Sequence, residues 1–163
     1  MSEQPTCYIL IGPPGSGKST YREQLMLGER IPVIISSDDF IEDYARENGI
    51  TYSEAYPQIN MKDIDKALRA RFIASTMKNA DVVIDRTNMT FKGRNKFLSQ
   101  LPKDYHRVGI VFNIPREILD ERLRKRGEET GKYISEETVN RMLNSYQEPV
   151  AGEFHEIIYI TGE

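Results

Sequence analysis

The most informative segment of this chain reads Gly12-Pro13-Pro14-Gly15-Ser16-Gly17-Lys18-Ser19-Thr20. It follows an apolar run at residues 7–11 and precedes a segment of helical pattern at residues 18–27. The segment matches G-x-x-x-x-G-K-[ST] at every fixed position. In this motif, glycines let successive backbone N–H groups surround one phosphate, and the helix presents its positive end to the same anion. We therefore expect all nine residues to contact the phosphates of a nucleotide.

Two side chains of this loop carry specific chemistry. Lys18 can reach the β- and γ-phosphates, and the Ser19 hydroxyl can ligate Mg²⁺. The expected cofactors are therefore ATP and Mg²⁺. A glycine-rich turn without a ligand is the alternative, and the apolar strand before the loop and the helix after it disfavour that alternative.

Four further apolar runs follow along the chain, at residues 33–35, 82–84, 108–112 and 157–160. Like the first run, they are continuous rather than alternating, which is typical of parallel strands covered on both faces. Helical patterns fill the gaps, among them residues 61–79, 115–126 and 135–147. The sequence thus predicts an α/β fold with a parallel sheet of about five strands and helices on both faces. Ligands of such sheets bind at the carboxyl ends of the strands.

Acidic residues follow the second and third predicted strands. We expect Asp38 to accept the proton of an acceptor hydroxyl, because phosphoryl transfer to an alcohol requires such a base. Asp39 is predicted to cap a helix that begins near Phe40, or to lie beside the metal. Asp85 ends the third strand and is expected to hold Mg²⁺ together with Ser19, although caps use the same residue type.

The candidate contacts of the acceptor are Asp39, Arg86, Asn88 and Tyr52. Either Thr87 or Asn88 could instead cap the helix predicted over residues 90–100. Tyr52 lies in a polar segment, where it can either pack against the protein or stack on a base.

Cations are dense in a segment that we name the lid, residues 122–134. An arginine delivered by a closing lid can neutralise charge on the transferring phosphoryl group. Arg122 and Arg126 are four residues apart and share one helical face, so they are the best candidates to contact the nucleotide. The alternative is a solvated helix face on which Glu121 and Glu128 pair with these cations.

The composition excludes several classes of protein. The 163 residues carry a net charge of −3, so nucleic acid could bind only at a local basic patch. Cys7 is the only cysteine, which excludes internal disulfides and thiolate-rich zinc sites. No apolar run approaches the roughly 18–20 residues that span a bilayer, and the first residues lack a signal-peptide pattern. We therefore expect one cytoplasmic domain over residues 1–163 with no membrane partner.

Two minor features carry no functional expectation. Cys7 is predicted to be a buried strand residue rather than a nucleophile. His106 and His155 lie far apart in the sequence and lack metal-like spacing.

In order and spacing, these motifs resemble the kinase domain of bacteriophage and bacterial polynucleotide kinases. The matching segments are residues 12–20, Asp38-Asp39, Asp85-x-Thr87-Asn88 and Lys125-Arg126-Gly127. The resemblance extends from about residue 6 to residue 147. It implies an adenylate-kinase-like P-loop fold and transfer of the ATP γ-phosphate to a hydroxyl of nucleic acid, DNA in preference to RNA. It also implies that Asp38 is the general base and that Arg126 contacts the nucleotide phosphates.

The sequence departs from that family at one position. Its 5′-OH kinases often carry an arginine just after the aspartate pair, which holds the phosphate of the acceptor, whereas this chain has Ile41 and Glu42. A related phage group phosphorylates the hydroxymethyl group of 5-hydroxymethyluracil in DNA, which would not need this clamp. Otherwise the clamp would have to be rebuilt, and Arg86 and Arg94 are the candidates.

Three functions therefore stay open. The first is transfer to a polynucleotide, either at a 5′-OH end or on a modified base. The second is a small-molecule or nucleoside kinase, which the acidic net charge favours. The third is a nucleotide-dependent switch without transfer, which Asp38 and the arginine-rich lid disfavour. Lys92, Arg94 and Lys96 favour nucleic acid, unless they form a solvated helix face.

Overall fold

The computed structural model describes residues 4–161, and within them the five apolar runs form five strands. The strands are β1 (Thr6–Ile11), β2 (Val33–Ile35), β3 (Val82–Asp85), β4 (His106–Asn113) and β5 (Glu156–Thr161). Every neighbouring pair is parallel, and the strand order is β2-β3-β1-β4-β5. The predicted α/β fold with a parallel sheet of about five strands is confirmed.

Helices connect the strands. In the described part of the chain they are α1 (Lys18–Leu25), α2 (Ser37–Asn48), α3 (Tyr52–Ala55), α4 (Met61–Met77), α5 (Phe91–Leu98), α6 (Arg116–Thr130) and α7 (Glu136–Ser145), with a 3-10 turn at Tyr56–Gln58. Within residues 4–161, no helix is both long and apolar enough to cross a membrane.

Hydrophobic residues cover both faces of the sheet. Successive side chains of a strand point to opposite faces, so Ile9 packs in one cluster while Leu10 packs in another. On α4, Ile64, Leu68 and Phe72 are buried at the predicted helical spacing. Cys7 is buried in the same core as Ile9, as predicted, and burial raises the pKa of its thiol to about 12.

Asn88 joins the carboxyl ends of β1 and β3. Its side-chain amide donates hydrogen bonds to the carbonyl oxygens of Leu10 at 2.8 Å and of Ile84 and Arg86 at 3.2 Å. Because this side chain is buried and its amide group is occupied, the predicted contact with an acceptor is wrong. The predicted cap is also wrong, since the Thr90 hydroxyl caps α5.

Arg94 is fully buried, so it cannot be the rebuilt acceptor clamp that the sequence suggested. Its Nε and Nη2 donate to the Glu153 carboxylate at 2.8 and 3.1 Å. Its Nη1 and Nη2 also donate to the carbonyl oxygens of Asn88 and Gln147, both at 2.9 Å. Arg94 therefore fastens the segment between α7 and β5 to the body of the protein.

The lid contains more helix than expected. The sequence predicted a helix to about Arg126, but α6 extends to Thr130 and ends at Gly131, whose φ is 78°. Gly127 lies inside this helix, and the Tyr133 ring packs against it. A Cβ atom at residue 127 would lie only 2.6 Å from Cδ1 of Tyr133.

The two histidines meet in space despite their distance in the sequence. The rings of His106 and His155 stack with their centroids 5.3 Å apart, because β5 pairs directly with β4. Nevertheless, residues 4–161 contain no group of three His, Cys, Asp or Glu side chains that could hold a metal ion.

Candidate active site

A cavity of about 1510 Å³ opens at the carboxyl ends of β1 and β3. Every predicted site residue lines it except Gly12, Pro13 and Asn88. The members are Pro14, Gly15, Ser16, Gly17, Lys18, Ser19, Thr20, Asp38, Asp39, Tyr52, Asp85, Arg86, Arg122 and Arg126. The structure therefore brings together residues that are far apart in the sequence.

The phosphate loop has the backbone that its glycines predict. Gly15 and Gly17 have φ angles of 83° and 102°, in the left-handed region that glycine adopts without strain. Helix α1 begins at Lys18 without a side-chain cap, so its first N–H groups remain free to bind an anion. The ammonium of Lys18 donates to the carbonyl oxygen of Gly12 at 2.6 Å, and burial lowers its pKa to about 8.

Arg122 and Arg126 of the lid line the cavity that contains the phosphate loop. Arg122 Nη1 donates to the carbonyl oxygen of Gly15 at 3.3 Å. Arg126 is half-buried in the cavity wall, and its Nε has no hydrogen-bond partner among the described residues. A buried donor without a partner is unfavourable, and a phosphate oxygen would satisfy it. This arrangement fits the nucleotide phosphates that the sequence predicted here.

The two aspartates lie in the first turn of α2, where Ser36 rather than Asp39 caps the helix. The Ser36 hydroxyl accepts a hydrogen bond from the Asp39 N–H at 3.2 Å. The prediction of Asp39 as the cap is therefore wrong. The exposed Asp38 carboxylate accepts a hydrogen bond of 2.6 Å from the Tyr52 hydroxyl at Oδ1. Burial and then the charge of Asp38 raise the pKa of Tyr52, which keeps this hydroxyl protonated as a donor.

Arg22 is a site residue that the sequence analysis missed. Its guanidinium donates to Oδ2 of Asp85 at 2.8 Å and binds both oxygens of Asp39 at 2.9 and 3.1 Å. Burial would lower the pKa of Arg22, but the hydrogen bonds and charges of the two carboxylates raise it. Its position four residues after Lys18 was the available signal, because that spacing puts both side chains on one face of α1.

Ser19 and Asp85 form a suitable donor set for Mg²⁺. The Ser19 side chain is exposed in the cavity, and Arg22 contacts only Oδ2 of Asp85, which leaves Oδ1 for a metal. Mg²⁺ prefers oxygen donors and is usually held by one or two carboxylates together with substrate phosphates and water. When bound, the ion would neutralise charge on the phosphates.

The acceptor side of the cavity, around Asp38, is bounded by α3 and the lid. Here the half-exposed ring of Tyr56 lies 6.2 Å from the ring of Tyr52, between ring centroids. Arg86, a predicted acceptor contact, lines the same space and forms an ion pair with Asp65 at 3.0 Å. The charge of Arg86 is thus already matched by a carboxylate.

Solved structures of other proteins share this architecture. A chain from the Pnkp1/Rnl/Hen1 RNA repair complex is 27% identical, with a TM-score of 0.69. The match covers 89% of this chain and 45% of that one, so this chain spans less than half the length of that relative.

Two matches at lower identity show the fold alone. A protein of Chloroflexus aurantiacus j-10-fl is 16% identical, with a TM-score of 0.74, and the match covers 99% of this chain and 87% of that one. A gluconokinase from Sinorhizobium meliloti 1021 is also 16% identical, with a TM-score of 0.55 and coverage of 98% and 84%.

A family model described as an AAA domain matches residues 8–149. This segment begins in β1 and ends beyond α7, so it includes the phosphate loop, both aspartates of α2, Asp85 and the lid arginines. The match covers well over half of the 163 residues. The chain therefore belongs to the AAA domain family.

Proposed function

We propose that this protein transfers the γ-phosphate of ATP to a hydroxyl group of a polynucleotide, with Mg²⁺ and with DNA as the preferred acceptor. The hydroxyl is either a 5′-OH end or the hydroxymethyl group of a modified base such as 5-hydroxymethyluracil. One observation supports this most: the Asp38 carboxylate opens on the same cavity as Lys18 and the lid arginines. The 27% identity to a chain of an RNA repair complex supports a nucleic-acid acceptor and makes RNA an acceptor to be tested as well.

The residues of the cavity divide the work of transfer. Lys18, Arg122 and Arg126 would hold the phosphates and stabilise the charge that develops on the transferring group. The acceptor oxygen forms the new bond to the γ-phosphorus while the bond to the β-γ bridging oxygen breaks, releasing ADP. Asp38 takes the proton of the acceptor hydroxyl. Tyr52 donates to Oδ1 of this carboxylate, so Oδ2 is the oxygen that would accept the proton.

A small neutral acceptor is the second candidate. On the acceptor side, the positive charges of Arg22, Arg86 and Lys132 are each paired with a carboxylate. Asp38 adds a further negative charge beside them. This charge balance suits a neutral alcohol, which is the observation in favour of the second candidate.

A transfer screen with labelled ATP distinguishes these acceptors. It offers 5′-OH DNA, 5′-OH RNA, a duplex with blocked ends that contains 5-hydroxymethyluracil, and free nucleosides. Label in a polynucleotide, absent with Asp38→Asn, would support the proposal. Label only in nucleosides would favour the small-molecule kinase, and binding of ATP without any transfer would contradict kinase activity towards all of these acceptors.

The salt dependence gives a second criterion. Transfer to a strand held through several phosphates should weaken steeply as salt is raised, because phosphate contacts release counterions. Transfer to a free nucleoside should change little over the same range. A shallow dependence with DNA would argue against an extended strand contact.

A further inference from the structure

The lid brings a lysine to the acceptor side of the cavity. Lys132 follows α6, and its ammonium pairs with the Glu42 carboxylate of α2. The same ammonium lies 4.6 Å from the centroid of the Tyr52 ring. The Lys132 side chain is only 12% exposed, yet the residue lines the cavity. A lysine of the lid is therefore separated from Asp38 by a single phenol ring.

Other contacts hold this part of the lid in place. The Ser53 hydroxyl of α3 donates to the carbonyl oxygen of Gly131, and the Tyr133 ring packs against Gly127. The residues on both sides of Lys132 are thus fastened, one to α3 and the other to α6. These contacts place the backbone of Lys132 beside α3, and Glu42 and the Tyr52 ring then position its ammonium.

The residues of α2 within the turn after Asp38 supply no cation to the acceptor. Ile41 lies one turn after Asp38, but its side chain is 1% exposed and belongs to the hydrophobic core. Glu42 is negative and is engaged with Lys132. An anionic group on the acceptor would therefore find its counter-charge on the lid and not on α2.

The ammonium of Lys132 retains binding capacity. It carries three N–H donors, and among residues 4–161 its partners are one carboxylate, on Glu42, and one ring face, on Tyr52. Asp38 likewise has Oδ2 available beside the same ring. A free donor on Lys132 and a free acceptor on Asp38 thus lie at the face and at the hydroxyl end of the Tyr52 ring.

We propose that Lys132 binds a phosphate group of the acceptor, one sugar away from the hydroxyl that Asp38 deprotonates. This inference rests on the proposed transfer to nucleic acid, in which such a phosphate follows the terminal sugar. It assigns the clamp to the lid, which also carries Arg122 and Arg126 to the nucleotide. Acceptor recognition would then depend on the lid being docked on α3.

Direct binding tests this subsite independently of transfer. Calorimetry would compare thymidine 3′-phosphate with thymidine, on the wild type and on Lys132→Gln, Lys132→Arg and Lys103→Gln. Lys103 is an exposed lysine just before β4, at the opposite end of the strands, and serves as the matched control. Thermal melting of each variant checks the fold.

We expect the wild type to bind the phosphate-bearing probe more tightly than thymidine by about 10- to 100-fold, as for one charge-assisted hydrogen bond. Lys132→Gln should remove this preference, whereas Lys132→Arg and Lys103→Gln should keep it. Equal binding of both probes by the wild type, or an unchanged preference in Lys132→Gln, would overturn the subsite.

Transfer assays with the same probes separate the two proposals. A preference lost in Lys132→Gln, without any transfer to nucleic acid by the wild type, would support the subsite and contradict the proposed reaction. Transfer to a 5′-OH strand that is equally efficient in the wild type and in Lys132→Gln would support the reaction and overturn the subsite.

Discussion

Arg22 and Asp85 are 63 residues apart in the sequence, and their side chains form an ion pair of 2.8 Å inside the cavity. The same guanidinium binds Asp39, so one cation neutralises two carboxylates that would otherwise repel each other. Asp85 is only 11% exposed, which makes this compensation important when no metal is bound.

We predict that Arg22→Gln destabilises the metal-free protein by about 1–3 kcal/mol, because two partly buried carboxylates lose their counter-charge. Mg²⁺ should restore part of this loss by binding Asp85. Urea unfolding with and without Mg²⁺ measures both effects. The control is Arg46→Gln, which breaks an exposed pair with Asp43 and should cost less than about 1 kcal/mol. Equal losses in the two variants would contradict the prediction.

Lys18→Met should abolish transfer and change how stability depends on pH. Burial lowers the pKa of Lys18 from 10.5 to about 8, so between these values the unfolded chain holds a proton that the folded protein has lost. The free energy of unfolding of the nucleotide-free wild type therefore gains from this group as pH rises from 8 to 10.5. The variant lacks this group and its burial cost. Any excess of its free energy of unfolding over that of the wild type should therefore be largest below pH 8 and should decrease as pH rises to 10.5. Urea unfolding of both proteins across this pH range measures the effect. Free energies of unfolding that change in parallel with pH would exclude it.

Asp38→Asn should lower kcat by about 10²- to 10⁴-fold with little change in ATP affinity, because an amide cannot accept the acceptor proton. Steady-state kinetics and a separate ATP-binding titration check both parts. A comparable loss in ATP affinity would show that Asp38 acts on the nucleotide instead.

Ser36→Ala tests the assignment of the cap of α2. Loss of the hydroxyl that accepts from Asp39 N–H should cost about 0.5–2 kcal/mol of stability. Asp39→Asn keeps that backbone contact and should leave the cap intact. Thermal melting of both variants distinguishes them, and a normal melting temperature for Ser36→Ala would disprove its role.

Arg94→Met should destabilise the protein by about 3–5 kcal/mol, because it leaves the Glu153 carboxylate and two carbonyl groups without their donor. The site itself should be unaffected in the molecules that stay folded. Urea unfolding and nucleotide titration below the melting temperature measure the two properties. Weaker nucleotide binding with unchanged stability would show that Arg94 acts in the site and not in the stability of the fold.

Much of the fold could be predicted from the sequence, because continuous apolar runs are a direct sign of buried parallel strands. All five strands lie where the runs predicted them. The end of α6 was misjudged because Gly127 resembles a stop signal, whereas its small size accommodates the Tyr133 ring. The stacking of His106 and His155 depends on the pairing of β4 with β5, which the spacing of the residues does not contain.

The site was predictable where chemistry follows from a local motif, as in residues 12–20. It was less predictable where a side chain depends on a distant partner. The sequence around Arg94 does not indicate its ion pair with Glu153, and the sequence around Tyr52 does not indicate its hydrogen bond to Asp38. Such pairings depend on how the helices pack onto the sheet. The structure is therefore needed to distinguish side chains that stabilise the fold from side chains that bind a ligand.

Asn88 fixes part of the nucleotide site before ATP binds. Its φ of 50° is one that asparagine tolerates better than most residues, and its amide joins the ends of the two strands that lead to the phosphate loop and Asp85. The separation between Lys18 and Asp85 is thus established during folding. The entropy of ordering these loops is lost once, when the chain folds, and not at each encounter with ATP. This half of the site is therefore preorganised for the nucleotide.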